Sequence, residues 1–581
     1  MRARSAVRLI SVLVAFWLSL GVMTGRLFWL QVMGKERFTA LAAVQRERKA
    51  VLPAPRGSII DRNGADLAIS IEMSTIHANP RFIADVSATA SLLSPIIGVD
   101  QTTIEEKLRR DSGFVYLARK IEPALGVKVK ALQIPGIGVV AESKRVYPSG
   151  QLASHVVGFA GFENAGLAGL EGRYDKPLAG QAGYRLSEID TQGRPIPAGK
   201  SLGRRPVAGS DLRLTIDKQI QFVAEMELAK GIQAWGAKGG TVIVANPKTG
   251  EILAMANLPT FDPNDVKSST AADRRNRGLI DIYEPGSANK VITAAAALES
   301  GTIRPTDTMR VTDNLKIGTT VFNDAHSHPV WDITFAEVMQ RSSNVGVIKV
   351  AQQVGKERLY EYLTKFGYGK PTALGFPGEG AGIVPKPNTW SSSSLPTIAI
   401  GQGVAVTAMQ IMQVYGTVAN GGVAVAPRLV LNDGASQTHR VISPTTARQL
   451  AEILIGVTED KYGSGRAAAI EGYQVAGKTG TAQKPRTDAA GYSGYIGSFI
   501  GFAPAGDPKL VVGVILDEPT PIWGGVTAAP IFREVMKFAL RRLGIGPGLV
   551  LPREGTPLPT PDRSGDVANL KDAAVRSGVP D

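Results

Sequence analysis

Residues 284–298 have the sequence EPGSANKVITAAAAL, in which Pro285 and Gly286 stand at the entrance of an alanine-rich helix. We expect this helix to begin at Ser287. Because residues three apart lie on one helical face, the Lys290 amine is expected beside the Ser287 hydroxyl, where the helix N-terminus adds positive potential. A serine activated by a lysine is a nucleophile for acyl transfer. By itself, however, the pattern is more often an N-cap serine followed by a solvated lysine.

Two further segments carry the missing parts of the same chemistry. Ser342-Ser343-Asn344 falls in the stretch 335–353, which we expect to form one helix. Residues 475–483, VAGKTGTAQ, are expected to form a strand whose alternate glycines let an extended peptide approach closely. Ser287, Ser342 and Lys478 then stand in the order and spacing of the Ser-x-x-Lys, Ser-x-Asn and Lys-Thr-Gly set of the penicillin-binding proteins.

The resemblance extends well beyond these three motifs. The chain resembles the class B penicillin-binding proteins over roughly residues 1 to 545, and most closely their cell-division member, the septal peptidoglycan D,D-transpeptidase. No N-terminal glycosyltransferase domain fits ahead of the catalytic block, which argues against the bifunctional class. The segments that carry the resemblance are 55–64 (PRGSIIDRNG), 145–148 (RVYP), 166–171 (GLAGLE), 247–256 (PKTGEILAMA) and 400–403 (IGQG).

What the resemblance implies is a serine acyl transferase that needs no cofactor. Ser287 attacks the carbonyl between the last two D-alanines of a stem peptide, and a neutral Lys290 takes its proton. Ser342 relays that proton to the departing amine, and an amine of a neighbouring stem peptide then attacks the ester. Asn344 is expected to contact the substrate backbone or to keep Lys290 in place. The family mostly carries a bulkier apolar residue where this chain has Asn289, which affects packing beneath Lys290.

The same resemblance implies how the substrate is held. Lys478 contributes a positive charge to the site and binds the terminal carboxylate together with the Thr479 and Thr481 hydroxyls. The backbone N–H groups of Ser287 and Thr481 hold the oxyanion. Gly480 belongs to the same substrate-binding strand.

The expected fold is α+β. Strands from the beginning and end of the catalytic block, 241–245 and the hairpin 497–502 with 510–516, should pair into one antiparallel sheet flanked by helices and an all-helical subdomain. This is the penicillin-binding, serine β-lactamase-like transpeptidase fold, preceded by a β-rich pedestal and a single transmembrane helix. The expected domains are a cytoplasmic stub and anchor (1–35), a non-catalytic pedestal (36–206), a transpeptidase domain (207–545) and a flexible tail (546–581).

The first residues predict a membrane anchor. No charge occurs from Leu9 to Gly25, a length suited to crossing most of a bilayer. Three arginines precede this run and favour a cytoplasmic N-terminus, with the catalytic domain on the outer, periplasmic side of the inner membrane. A cleaved signal peptide is the alternative, but no convincing small-x-small cleavage site follows.

Composition excludes several classes of function. The chain has 65 Lys+Arg against 51 Asp+Glu, a net charge of +14, yet no dense basic run, so nucleic acid is not an expected partner. With no cysteine it cannot use disulfides, a zinc thiolate site or a cysteine nucleophile. Asp324, His326 and His328 have an alternating spacing that could suit a metal, but the resemblance places them in a polar loop, and no metal is predicted.

The expected partners are peptidoglycan stem peptides, β-lactam antibiotics, the membrane and, at the division septum, a SEDS-family glycan polymerase with other divisome proteins. Three alternatives remain. An elongation-type class B transpeptidase would share the chemistry. A D,D-carboxypeptidase or β-lactamase would deliver the acyl group to water. A scaffold or drug sensor would keep the fold without turnover.

Overall fold

A computed structural model describes residues 2–33, 35, 47–188, 196, 201–431, 433–485 and 491–548. The part of the predicted tail beyond residue 548 therefore lies outside the described residues. The chain forms two compact units. The first lies within Met1–Arg56, Glu72–Ser143 and Ala179–Ser210, and the second within Gly57–Ile71, Lys144–Leu178 and Asp211–Asp581.

The N-terminal helix is long and apolar. It runs from Arg2 to Phe28 and continues as a short π-helix, Trp29–Met33. Its span Ala6–Met33 has a mean hydropathy of 2.1 over the most apolar window, and it is the one helix of the described residues that could cross a membrane by length and composition. At 1.5 Å per residue it measures about 42 Å, longer than the hydrocarbon core of a bilayer. The chain thus carries a candidate single-pass anchor.

The rest of the first unit packs helices against short antiparallel strands. Asp85 and Asp100 cap the helices Val86–Ile97 and Gln101–Leu108, since each side chain accepts a backbone N–H in the first turn of its helix. The core includes Leu93 and Ile104. The remaining elements are the strands Glu47–Leu52, Gly183–Glu188 and Ser201–Arg204, the long strand Asp66–Ala78 entering from the second unit, the strands Val115–Ile121 and Ile137–Val146, the turn Pro80–Phe82 and the helix Pro123–Ala131.

The second unit is built on a five-stranded antiparallel sheet, named here the catalytic sheet. The predicted pairing of strands from both ends of the block is confirmed. Within the described residues, the strand Ala476–Pro485 lies at an edge of this sheet, so one side of it is open to an added peptide. The strand order is Ile252–Leu258, Gly239–Ala245, Leu510–Asp517, Tyr492–Ala503 and Ala476–Pro485.

Alternation along the strands divides the core around this sheet. Ile243 faces one layer, whereas Val242 and Val244 face the other, because successive side chains of a strand point to opposite faces. The Val242 layer contains the helices Lys218–Trp235 and Gly524–Arg542; the Ile243 layer contains Ala408–Ala419.

An all-helical subdomain adjoins the Ile243 layer, as predicted. Its helices are Arg277–Ile280, Lys290–Glu299, Phe335–Gln340, Asn344–Val354, Lys356–Lys365, Ser394–Ala399, Ala408–Ala419 and Pro444–Glu459. The short strand pairs are Thr308–Val311 with Trp331–Thr334, Asn314–Ile317 with Thr320–Asn323, and Val423–Val425 with Thr438–Arg440. The smaller elements are the helices Ser154–Val157, Gly169–Arg173 and Asp175–Ala179, the turns Val266–Ser268, Gly286–Asn289, Pro387–Thr389 and Arg466–Ala468, and the parallel pair Ile59–Ile60 with Leu212–Arg213.

The single helix predicted over residues 335–353 is wrong. Two helices, Phe335–Gln340 and Asn344–Val354, are separated by residues 341–343, named here the Ser342 turn. Ser342 has a φ of +61°, a left-handed conformation that a helix cannot contain. Ser343 begins the second helix as its N-cap, since its hydroxyl accepts the Gly346 N–H.

Candidate active site

Ser287 lies in a one-turn 3₁₀ segment that leads directly into the helix Lys290–Glu299. It is the only residue of 284–290 that is not buried, so its hydroxyl is the accessible nucleophile of the segment. The preceding Gly286 has a φ of +52°, and a Cβ there would lie 2.6 Å from the Thr481 carbonyl oxygen. Only glycine fits this position, and the fit brings the Thr481 backbone against the turn that carries Ser287.

Lys290 is fully buried beneath this turn. Its Nζ donates to the Ser342 carbonyl oxygen at 2.6 Å and to Asn344 Oδ1 at 2.6 Å. Burial lowers the pKa of Lys290 to about 7. Two short hydrogen bonds use two N–H groups, so the neutral amine keeps its lone pair for a proton. Within the described residues no hydrogen bond joins the Lys290 amine to the Ser287 hydroxyl.

The Ser342 hydroxyl lies between two lysines. Lys478 Nζ is 2.7 Å from Ser342 Oγ, and Lys290 Nζ is 3.4 Å from the same atom. The break in the helix makes this possible, because the left-handed Ser342 turns both its carbonyl and its hydroxyl toward the lysines. Ser342 is therefore placed where a proton can pass between the two amines.

Lys478 is fully buried on the edge strand Ala476–Pro485 of the catalytic sheet. Burial holds its pKa well below the usual lysine range, and the charge of nearby Lys290 acts in the same direction. Its Nζ also lies 3.4 Å from the Thr479 hydroxyl, which is 2.9 Å from Ser464 Oγ. An anion bound beside Lys478 would favour its ammonium form.

The next two residues of the strand complete the predicted set. A Cβ on Gly480 would lie 2.3 Å from Ser498 Oγ on the neighbouring strand and 3.1 Å from the Pro285 carbonyl oxygen, so any side chain here would force Ser498 to move. Thr481 Oγ1 accepts the Gly524 N–H at 3.3 Å. Lys290, Ser342, Asn344 and Lys478 thus meet in direct contact, while the Gly286 turn carries Ser287 against Thr481.

Asn289 does not reach the lysines. Its side chain is fully buried, and its Nδ2 donates to the Ile398 carbonyl at 3.0 Å. Its Oδ1 is buried without a hydrogen-bond partner in the structure. The unusual residue before the motif lysine therefore joins the nucleophile segment to the chain around Ile398, at the expense of one unsatisfied oxygen.

Sequence reasoning missed the role of Asp324. Its carboxylate accepts hydrogen bonds from the N–H groups of Asn344 and Val345 and from Ser343 Oγ, so it holds the Ser342 turn. In the sequence, the Asp-x-His-x-His spacing indicates only a possible metal motif. Within the described residues, no group of three or more His, Asp or Glu side chains is arranged to hold a metal ion.

A second carboxylate holds the other side of the nucleophile turn. Glu284 Oε1 accepts the Gly403 N–H at 2.8 Å, and the Gly286 N–H donates to the Gly401 carbonyl at 2.9 Å. Glu284 belongs to the quoted stretch EPGSANK, but nothing in the sequence pairs it with residue 403.

Comparisons with known proteins agree with this geometry. The model of the penicillin-binding protein transpeptidase domain matches residues 240–537, and that of the penicillin-binding protein dimerisation domain matches residues 51–214. The chain is 36% identical to the penicillin-binding protein PbpB of Mycolicibacterium smegmatis, covering 92% of this chain and 89% of that protein. It is 32% identical to the peptidoglycan D,D-transpeptidase FtsI of Escherichia coli, covering 91% of each.

Its structure also resembles solved ones. The crystal structure of penicillin-binding protein 3 from Mycobacterium tuberculosis in complex with ampicillin superimposes with a TM-score of 0.68 at 31% identity, covering 88% of this chain and 99% of that one. The match spans both domains and nearly the whole of each relative. Together with the two lysines that contact one serine, it places the chain in a single family. It belongs to the class B penicillin-binding proteins, with a dimerisation domain followed by a transpeptidase domain.

Proposed function

We propose that this chain cross-links the stem peptides of peptidoglycan through an acyl-enzyme on Ser287 during cell division. It is a serine-type D-Ala-D-Ala transpeptidase and a target of β-lactams. One observation carries the assignment of the site: two fully buried lysines both contact the hydroxyl of Ser342, beside the one accessible serine of the nucleophile segment.

Acylation begins with a neutral Lys290. The amine accepts the Ser287 proton as Ser287 Oγ bonds to the carbonyl carbon of the penultimate D-alanine. The oxyanion that forms is held by the N–H groups of Ser287 and Thr481. Through Ser342 Oγ the proton then reaches the leaving nitrogen, the C–N bond breaks, and free D-alanine departs. The donor peptide remains as an ester on Ser287.

The substrate carboxylate opposes the lowering of the Lys478 pKa by burial. A carboxylate between Lys478 and the hydroxyls of Thr479 and Thr481 favours the ammonium form, so substrate binding itself charges the site. Gly480 lets the donor peptide lie along the edge of the catalytic sheet. Asn344 keeps the Lys290 amine in place through its 2.6 Å hydrogen bond. The acceptor amine then attacks the carbonyl carbon of the ester. The proton that the amine loses passes through the same groups to Ser287 Oγ as the ester bond breaks.

We propose the domain limits 1–35 for the stub and anchor, 36–206 for the pedestal, 207–545 for the transpeptidase domain and 546–581 for the tail. The matched family models, over residues 51–214 and 240–537, support the existence and order of the two central domains; the first match ends eight residues beyond the proposed limit at 206. We propose further that the N-terminus is cytoplasmic, because three arginines precede the anchor. The catalytic domain then works outside the inner membrane, at the septum, beside a SEDS-family glycan polymerase and other divisome proteins.

Labelling with a fluorescent penicillin tests the chemistry. Mass spectrometry of the labelled protein should find the acyl group on Ser287 alone, and Ser287→Ala should lose it. Incubation with a donor pentapeptide and an acceptor amine then separates the rivals: a cross-linked product supports the transpeptidase, whereas free acid alone indicates a carboxypeptidase. A reporter active only in the cytoplasm, fused after residue 300, should be silent.

A further inference from the structure

Residues 324–330 form an exposed loop, named here the Asp324 loop, in which two side chains turn inward. Asp324 and His328 have side chains that are 5% and 6% exposed, whereas the five other residues of the loop are exposed. His328 Nε2 lies 3.0 Å from Asp324 Oδ2. A buried contact between a carboxylate and an imidazole in a surface loop needs a reason, because both polar groups are removed from water.

The Asp324 carboxylate has four donors around it. Oδ1 accepts the N–H groups of Asn344 and Val345, and Oδ2 accepts Ser343 Oγ at 2.7 Å and His328 Nε2. Four acceptor positions are what an ionised carboxylate offers. Two are filled by the backbone N–H groups of Asn344 and Val345 in the first turn of the helix Asn344–Val354, a third by its N-cap Ser343 and the fourth by His328. The N-terminus of this helix also favours a negative charge. Asp324 therefore acts as a fixed anion under the Ser342 turn.

The same loop fixes the side chain that holds Lys290. Asn344 Nδ2 donates to the Asn323 carbonyl at 2.8 Å, which orients its amide so that Oδ1 faces Lys290. The backbone N–H of Asn344 is held by Asp324. Both ends of Asn344 are thus fixed by two consecutive residues, Asn323 and Asp324, before the amide meets the amine.

Both ring nitrogens of His328 have acceptors. Its Nδ1 lies 2.7 Å from the Pro329 carbonyl oxygen and its Nε2 lies 3.0 Å from Asp324 Oδ2, so an imidazolium, with an N–H on each nitrogen, would fill both contacts. The ring stacks on Trp331 with centroids 3.4 Å apart and an interplanar angle of 7°. Burial against an aromatic face suits an imidazolium paired with a carboxylate.

We propose that Asp324 and His328 are positioning residues for the transpeptidase reaction: the carboxylate sets the Ser342 turn against Lys290, and the imidazolium holds that carboxylate in place and balances its charge. This inference rests on the proposed role of Lys290 as the base. Burial lowers the Lys290 pKa, and the charge of Asp324 opposes this shift. The pair therefore controls both the place of the Lys290 amine and the pH at which it can accept a proton.

Other polar and charged groups lie around the loop. Ser327 Oγ donates to Asp313 Oδ2 at 2.9 Å, and His326 lies against the Trp523 ring at 5.3 Å. Arg341 lies over the Trp331 ring at 4.8 Å and pairs with Glu337 at 3.3 Å. The lysines of the site contact Ser342, and the Asp324 charge acts on Lys290. Of these groups and His328, only His328 lies within hydrogen-bond distance of the Asp324 carboxylate.

The pH dependence of β-lactam acylation tests the proposal with three variants of the full chain. Asp324→Asn removes the anion, so the acid midpoint of the rate should move to lower pH while the plateau falls at least about tenfold. His328→Phe keeps the ring on Trp331 but leaves the carboxylate unbalanced, so the midpoint should move to higher pH. His326→Phe, a matched ring substitution two residues away, should leave the profile unchanged.

The two opposite shifts are the decisive result. A purely structural role would lower the melting temperature and the fraction of active enzyme without moving a midpoint. The proposal is overturned if folded His328→Phe keeps the parental midpoint, whether or not Asp324→Asn folds. Failure of the proposed function is distinct, since the parental chain would then show no penicillin ester on Ser287.

Discussion

At the scale of single residues, the site depends on two amines that burial has made less basic than ordinary lysines. Lys290 and Lys478 are both fully buried, and each contacts Ser342 Oγ. Two ammonium ions this close repel each other. In the substrate-free enzyme, a state in which at most one of the two lysines is charged is therefore favoured. This arrangement makes Lys290 available as a base at neutral pH.

The acylation rate should therefore depend on pH in a defined sense. Because the pKa of Lys290 is lowered to about 7, the fraction of enzyme with a neutral Lys290 falls tenfold for each pH unit below that value. The second-order rate with a chromogenic β-lactam should rise with unit slope below about pH 7 and level off above it. A flat profile from acid to neutral pH, in protein that stays folded, would contradict the assignment of Lys290 as base.

Arginine substitutions separate the two lysines. Lys290→Arg should abolish acylation, because guanidinium has no lone pair to accept a proton. Lys478→Arg should keep about 1% of the rate, a loss of roughly 3 kcal/mol, because a cation can still meet the substrate carboxylate. Acylation rates and melting temperatures of both variants check this. Equal rates, or a faster Lys290→Arg enzyme, would assign the base to the other lysine.

Asn289 allows a test of stability apart from chemistry. Asn289→Asp would bury a carboxylate against the Ile398 carbonyl and should destabilise the protein by about 3 kcal/mol or more. Asn289→Leu removes the unsatisfied oxygen and one hydrogen bond together, so its net effect should stay within about 1 kcal/mol. Thermal melting decides; similar losses for both variants would show that the hydrogen bond to the Ile398 carbonyl, which both substitutions remove, and not the buried charge determines stability at this position.

At the scale of elements, the sequence was informative where the signal is local. The helix Lys218–Trp235 is set by its immediate neighbours in the sequence, because Asp217 caps it and Gly236 ends it in a left-handed conformation. The break at Ser342 depends on Asp324, which lies far upstream in the chain, and no local propensity encodes such a partner.

Two glycines in regular elements should respond in opposite ways to alanine. Gly480→Ala places a Cβ 2.3 Å from Ser498 Oγ between the two strands at the sheet edge, so the protein should melt lower and acylate slowly. Gly416 lies inside the helix Ala408–Ala419 with nothing within 4 Å of an added Cβ. Gly416→Ala should therefore stabilise the protein by up to about 1 kcal/mol.

The comparison needs melting temperatures and acylation rates of both variants. Gly416→Ala also serves as the control that a methyl group as such is harmless. If Gly480→Ala melted no lower than the parent, the neighbouring strand would accommodate the added methyl group without loss of stability, and the prediction would be wrong.

At the scale of the whole molecule, composition and motifs were enough to predict the class of protein and its order of parts. The apolar run after three arginines lies inside the helix Ala6–Met33, and the three active-site motifs lie within the matched transpeptidase region. The contacts that tie Asn344 and Glu284 in place could not be predicted, because each joins segments separated by 20 or more residues.

The tail should be dispensable. Truncation after residue 550 should leave penicillin acylation unchanged, because the composition beyond it is rich in Pro, Gly and charge and poor in large apolar residues. Truncation after Gly544 is the matched control. It removes the Ile545 carbonyl that accepts the Tyr473 hydroxyl at 2.7 Å, and should lower the melting temperature. Loss of acylation in a folded protein ending at residue 550 would contradict the expectation.

The left-handed backbone of Ser342 has a consequence for how such a sequence can evolve. A non-glycine residue at a φ of +61° stores on the order of 1–3 kcal/mol of strain that glycine would release. Selection for stability alone would therefore replace this serine and lose its hydroxyl from between the two lysines. Keeping the serine therefore requires continuous selection for turnover. A lineage without that selection should lose activity first at this position, while the stability of its fold increases.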